Sequence, residues 1–183
     1  MKNRILGLSG KKRSGKDTFY QILNSMLMAP KVGVRRYAFA DAVKEHAQRY
    51  FNFPQNPTDD EKERLRFVLQ GIGQMMREEV DKDYWVNVVL RQIEKDREEF
   101  NSRDVSHIAV ITDVRYWNEA ESISELGKVV RLVRTDFEDS SDTHPSEVEL
   151  DTYEFTDFVY NRGTKLDYIN EIRKWVRVWI SKG

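Results

Sequence analysis

The sequence predicts an α/β fold, a mostly parallel sheet of about five strands with helices on both faces. Three observations carry this. Short apolar runs alternate with longer stretches of helical periodicity along most of the 183 residues, the pattern of right-handed β-helix-β crossovers. One of those runs, Ile108 to Thr112, is continuously apolar, as a central strand buried on both faces must be. The first run, Ile5 to Leu8, passes into Gly10, then four residues, then Gly15-Lys16, and a helix pattern follows at once.

That first unit organises the chain. Phe19, Ile22, Leu23, Met26 and Leu27 fall at helical spacing, predicting a helix from Asp17 to about Met28. A strand, a glycine-bounded loop, a lysine and a helix make a phosphate-binding loop, and the three-layer P-loop fold with it. Gly10 and Gly15 can adopt the angles that turn successive N–H groups inward as a nest for phosphate oxygens. The helix N-terminus adds partial positive charge, and the Lys16 ammonium can reach the β- and γ-phosphates. The motif expects Ser or Thr directly after the lysine as a Mg²⁺ ligand; here Asp17 follows and Thr18 comes next. Either residue can fill the metal role.

Further along, Pro30 to Gly33 reads as a turn and Val34 to Phe39 as a second strand. Asp41 to about Asn52 reads as a helix, closed by the two prolines of 53–57. Thr58 and Glu61 have capping-box spacing and start a helix through Glu79, with Leu65, Leu69, Ile72, Met76 and Val80 as its apolar stripe. Another helix spans about Asp83 to Phe100. After the Ile108 strand come a helix over 117–127, capped by Gly127, and a strand from Val129 to Val133. Residues 135–147 are polar and turn-rich and read as a loop. Phe158 to Tyr160 is a last short strand, 161–163 a turn, and about Lys165 to Ile180 the final helix. The whole of 1–183 reads as a single domain, with a mainly helical insert at about 41–100 that covers the substrate.

Composition sets limits. The formal net charge is −1, so nothing global points to nucleic acid or an anionic membrane. Cysteine is absent, which excludes disulfides and thiolate metal sites and fits a reducing cytoplasm. The first apolar run is too short for a signal peptide, and no stretch approaches a membrane span. A cytoplasmic chain is expected.

Several polar residues sit where chemistry is expected. Asp113 ends the Ile108–Thr112 strand, at the carboxyl edge where α/β sheets bind ligands. There a carboxylate can hold Mg²⁺ through water or accept a proton, and Arg115 can grip a phosphate with a bidentate fork. The alternative is a turn or cap residue beside a surface charge. Arg131 and Arg134 flank the end of the next strand, placed to neutralise charge in phosphoryl transfer. Gln70, Gln74 and Arg77 fall at i, i+4 and i+7, one helix face; amides can read a base edge and Arg77 can hold phosphate. Gly71 and Gly73 interrupt the same helix, implying close approach to its backbone. Asp41 and Lys44 open the preceding helix, with Asp41 a candidate N-cap. His144, Ser146 and Glu147 carry the weakest signal, and three scattered histidines make no metal site. Trp85, Trp175 and Trp179 read as core by spacing, and Trp117 as exposed.

Together, Leu8 to Thr18, Phe39-Ala40-Asp41-Ala42-Val43-Lys44, Leu69-Gln70-Gly71-Ile72-Gly73 with Arg77 and Trp85, Thr112 to Glu119, His144-Pro145-Ser146-Glu147 and Tyr160 to Thr164 resemble phage-type deoxynucleoside monophosphate kinases. The resemblance implies a helical monophosphate-binding region, a short lid at about 135–147, and Mg²⁺-dependent transfer of the ATP γ-phosphate to a deoxynucleoside monophosphate. It places Gly10, Lys12, Ser14, Gly15, Lys16, Asp17, Thr18, Asn161 and Gly163 around ATP. Asp41, Lys44, Gln70, Gln74, Arg77, Trp85 and Arg131 surround the acceptor, and Lys16, Asp113, Arg115 and Arg134 the reacting phosphates. It implies no nucleic-acid or membrane partner, leaves a homodimer open, and for a phage-encoded chain means the host cytoplasm. The Gly-Lys-Asp loop also occurs in animal-type phosphomevalonate kinases, so another phosphomonoester is the alternative acceptor. A nucleotide-dependent ATPase or switch is the alternative of a different class.

Overall fold

The computed structural model describes residues 3–55, 57–135 and 145–182. Most of the expected lid, including His144, lies outside the described residues. Five strands form one sheet: β1 (Arg4–Ser9), β2 (Val32–Tyr37), β3 (Ser106–Val114), β4 (Lys128–Arg134) and β5 (Asp157–Asn161). All neighbours pair in parallel, in the order β2-β3-β1-β4-β5. The helices are α1 (Lys16–Leu27), α2 (Phe39–Phe51), α3 (Asp59–Met75), α4 (Tyr84–Ser102), α5 (Trp117–Leu126), α6 (Pro145–Val148) and α7 (Lys165–Ser181).

The pleat of the strands sorts the core into two layers, because successive residues point to opposite faces. Leu6, Leu8, Ile108 and Val110 face α1 and α7, where they meet Phe19, Leu23, Ile172 and Val176. Ile5, Ala109, Ile111 and Val129 face the other way, onto Val43, Trp85, Val89, Ile93 and Ile123 of α2, α4 and α5. The three-layer α/β sandwich is as predicted. Gly127 does cap α5, donating its N–H to the Ile123 carbonyl, but its φ of −170° is extended. Glycine is needed there because a Cβ would sit 2.1 Å from the Ile5 carbonyl oxygen.

Three local expectations shift. The second strand stops at Tyr37 and α2 starts at Phe39, two residues before Asp41. The cause lies on another strand: both carboxylate oxygens of Asp113 accept N–H groups of the first turn, from Phe39 and Ala40, at 2.8 Å each. Asp41 is therefore inside the helix and is not its cap. The helix begun by the Thr58–Glu61 capping box reaches Met75 and then widens to a π turn, Met76–Val80. The Gly73 carbonyl, which a continuing α-helix would offer to the Arg77 N–H, accepts the Trp85 indole at 2.9 Å. Finally, the polar stretch expected to be loop through Glu147 turns helical at Pro145 and runs on into a 3₁₀ turn, Glu149–Thr152. Among the described residues no helix is long and apolar enough to cross a membrane.

Candidate active site

The phosphate loop joins β1 to α1 at the carboxyl edge of the sheet. Gly10 and Gly15 have φ of 153° and 101°, values that a Cβ would penalise. The Lys16 ammonium folds back over the loop, donating to the carbonyls of Gly10 at 2.7 Å and Lys11 at 2.9 Å. Burial first, and the Arg115 charge second, lower its pKa to about 8, against the opposing pull of Glu147, Asp113 and Asp17. The loop is braced from behind: Asn161 Nδ2 donates to the Ser14 carbonyl and the Tyr168 hydroxyl to the Gly15 carbonyl, each at 3.1 Å. Gly163, with φ 73°, makes the turn into α7. Asp17 is exposed and Thr18 half-buried on the first turn of α1. Among the described residues no group of three or more acidic or imidazole side chains forms a metal cage. The two positive-φ glycines of the loop and the Lys16 ammonium suit a polyphosphate, and the hard oxygens of Asp17 and Thr18 suit Mg²⁺ shared with phosphate.

Beside the loop opens a cavity of about 670 Å³. Its lining includes the apolar side chains Phe39, Val43, Phe53 and Leu69 and the polar ones Lys44, Gln70, Arg77, Arg115, Glu119 and Glu147, together with Lys12 of the phosphate loop. Asp113 also lines the cavity, and burial raises its pKa against the two α2 N–H groups from which it accepts. Arg115 pairs through Nη1 with the Glu147 carboxylate, whose other oxygen accepts the Lys12 N–H at 3.3 Å. A carboxylate thus bridges a guanidinium and a phosphate-loop amide, groups that suit a phosphate oxygen equally well.

Lys44, Gln70, Arg77, Asp113 and Arg115 are brought together at this cavity. Glu147 and Lys12 join them; the other acceptor candidates and Arg134 do not line it. Asp41 is tied to Arg36 at 2.6 Å and Lys44 at 3.2 Å outside the cavity. Gln74 points to solvent and donates to Glu78 at 2.7 Å. Trp85 is 1% exposed, sealed in the core with its indole on Gly73, so it cannot meet a substrate. Arg131 is held by the Ser9 hydroxyl and Asp151, both at 3.0 Å, above the Phe155 ring. Arg134 reaches the Arg13 carbonyl at 3.4 Å and so lies against the phosphate loop. Of the two glycines of α3, Gly73 is at the cavity wall, whereas a Cβ on Gly71 would meet nothing within 4 Å. The Trp85 indole reaches the Gly73 carbonyl at 2.9 Å, but a Cβ on Gly73 would make only ordinary contacts, 3.4 Å from Arg77 Nη1, so neither position requires glycine.

Glu119 is the residue that sequence reasoning passed over. It is 1% exposed, and burial raises its pKa to about 7 despite the Arg77 charge and two backbone donors. The usable signal was its position four after Arg115, in the first turn of a helix, where a side chain can turn back on the preceding amides.

A parallel sheet, a glycine-bounded phosphate loop and a basic cavity at its mouth define a P-loop kinase. Solved structures agree on the fold: TT1252 from Thermus thermophilus (TM-score 0.51, 14% identity, 97% of this chain and 98% of that one) and dephospho-CoA kinase from Campylobacter jejuni (TM-score 0.50, 14% identity, 99% of each chain). A family model, deoxynucleotide monophosphate kinase, matches residues 55–172. A putative deoxynucleotide monophosphate kinase of Acanthamoeba polyphaga mimivirus is 28% identical over 185 residues, covering 92% of this chain and 93% of the relative. The chain belongs to the deoxynucleotide monophosphate kinase family. It is a kinase for a nucleotide or similar small phosphate-bearing acceptor.

Proposed function

We propose that the chain transfers the γ-phosphoryl group of ATP to a deoxynucleoside monophosphate, forming a deoxynucleoside diphosphate and ADP. The observation that supports this best is the cavity itself. Its apolar side chains suit a base and sugar, and its basic ones, Lys44, Arg77 and Arg115, share the cavity with Lys12 of the phosphate loop.

In this reading an oxygen of the acceptor phosphate attacks the γ-phosphorus in line. The new P–O bond forms as the bond to the β-phosphate bridging oxygen breaks, and that oxygen leaves on ADP. A phosphate monoester is largely a dianion at neutral pH, its second pKa being about 6, so no strong general base is required. Catalysis rests on positioning and charge neutralisation. Lys16 leaves the carbonyls of Gly10 and Lys11 for the β- and γ-oxygens. Arg115 exchanges the Glu147 carboxylate for phosphate, and Arg77 holds the acceptor. Arg134, braced on the loop, faces the charge that spreads over the transferring group, while Arg131 supports the same strand end. Mg²⁺, carried by Asp17 or Thr18 and the nucleotide oxygens, would offset charge on the β- and γ-phosphates. Gly10, Lys12, Ser14 and Gly15 contribute the nest, with Asn161 and Gly163 behind it. Residues 1–183 act as a single domain, with 41–100 as the acceptor-binding insert and 135–147 as the lid.

Phosphorus NMR tests the reaction. Incubation with MgATP and a deoxynucleoside monophosphate is expected to produce the β-phosphorus signals of two diphosphates, ADP and the deoxynucleotide product, in equal amount. Release of inorganic phosphate in place of the second diphosphate would refute it.

A further inference from the structure

Two contacts converge on Arg77 of the π turn. Glu119 Oε1 accepts from its Nη2 at 3.3 Å. The Tyr116 ring lies under its guanidinium, 3.9 Å from carbon to centroid. The second carboxylate oxygen of Glu119 accepts the N–H groups of Arg115 at 2.8 Å and Tyr116 at 3.1 Å.

We propose that Glu119 is a positioning residue of the acceptor site, one buried carboxylate that aims the Arg77 guanidinium into the cavity and fixes the backbone from which Arg115 projects. The inference rests on the proposed function for the identity of the acceptor, and otherwise on geometry. An arginine at a helix end loses considerable rotamer freedom when it grips a ligand. Holding the fork between a carboxylate and an aromatic face incurs that loss before the substrate arrives, which favours binding. The arrangement also links the two arginines. Arg77 comes from the insert and Arg115 from the end of β3, 38 residues further on, and Glu119 is bonded to both segments. A carboxylate that served only as a helix cap would have no need of its contact across to Arg77.

A double-mutant cycle separates aiming from capping. Glu119→Gln keeps an oxygen for the Arg115 and Tyr116 amides and removes the charge facing Arg77. The expected result is a rise of about tenfold in KM for the deoxynucleotide, with KM for ATP changed less than about twofold. In an Arg77→Ala background the same substitution is expected to add less than about twofold. Independent effects that multiply, an unchanged acceptor KM, or equal rises for both substrates would overturn the proposal. Should the Gln variant fail to fold, Glu119→Asp carries the same cycle, since it keeps the charge at the helix start but withdraws it from Arg77 by one methylene. Calorimetric binding of inorganic phosphate, run on all variants, keeps the two readings apart. A wild-type chain that phosphorylates no deoxynucleotide refutes the function alone. Phosphate binding weakened by Glu119→Gln only when Arg77 is present still supports the positioning role, and equal phosphate affinity overturns it.

Discussion

Glu147→Gln is the most informative single change, because it is expected to improve acceptor binding. The Glu147 carboxylate pairs with Arg115 and also accepts the Lys12 amide at 3.3 Å. The side chain is 9% exposed, while that of Arg115 is 34% exposed. A hydrogen bond to a charged group contributes about 1.5–3 kcal/mol when well shielded, and solvent on the Arg115 side reduces this toward the surface-pair range. About 1 kcal/mol is a reasonable net value, and the long Lys12 contact adds little. Phosphate has to displace this carboxylate, so removing its charge is expected to lower the acceptor KM about fivefold. The Glu147 carbonyl still accepts from Lys11 Nζ, so the segment stays anchored. The assay is coupled ADP release at saturating MgATP with the deoxynucleotide varied. A KM that rises would make Glu147 a ligand of the substrate, and an unchanged one would mean that Arg115 never leaves it.

Three further outcomes are expected. Lys16→Ala should lower kcat by more than about 100-fold while leaving the melting temperature nearly unchanged, since Lys16 touches only loop oxygens; near-normal turnover would remove it from the donor site. Asp113→Asn would turn an NH₂ group toward one of the two α2 amides, costing about 2 kcal/mol and lowering the melting temperature by about 4–8 °C, which calorimetry would read. The third outcome concerns pH. Glu119 is held at about 7, up from an ordinary 4.5, by burial and by the Asp113 charge, against the pull of Arg77 and the Arg115 and Tyr116 amides. Between those values the folded state binds more protons than the unfolded one, so stability falls as pH rises through the window. The denaturation midpoint of the wild type should therefore drop from pH 5 to 7.5 relative to Glu119→Gln, and parallel curves would contradict the assignment.

The sheet was legible because its strands are short apolar runs of characteristic length, and the phosphate loop because its glycines and lysine act within a few residues of one another. The failures share a different cause, namely partners distant in sequence. The start of α2 was misplaced because its cap, Asp113, is on β3. Gln74 shares the α-helical spacing of Gln70 but is turned to Glu78 in solvent, and Arg77 stands beyond α3 in a π turn, where that spacing no longer applies. Trp85 has both the spacing of a core residue and the company of motif residues, and burial decides for the core. Glu119 and Glu147 are ordinary acidic residues by local pattern; what distinguishes them is the arginine each one faces, 42 and 32 positions away.

The most direct test of the account is ADP release with MgATP across dAMP, dGMP, dCMP and dTMP, their ribose counterparts, and no acceptor. Turnover that requires at least one deoxynucleoside monophosphate is the predicted result. Equal ADP release without acceptor, or silence with every nucleotide beside turnover of another phosphomonoester, would contradict it.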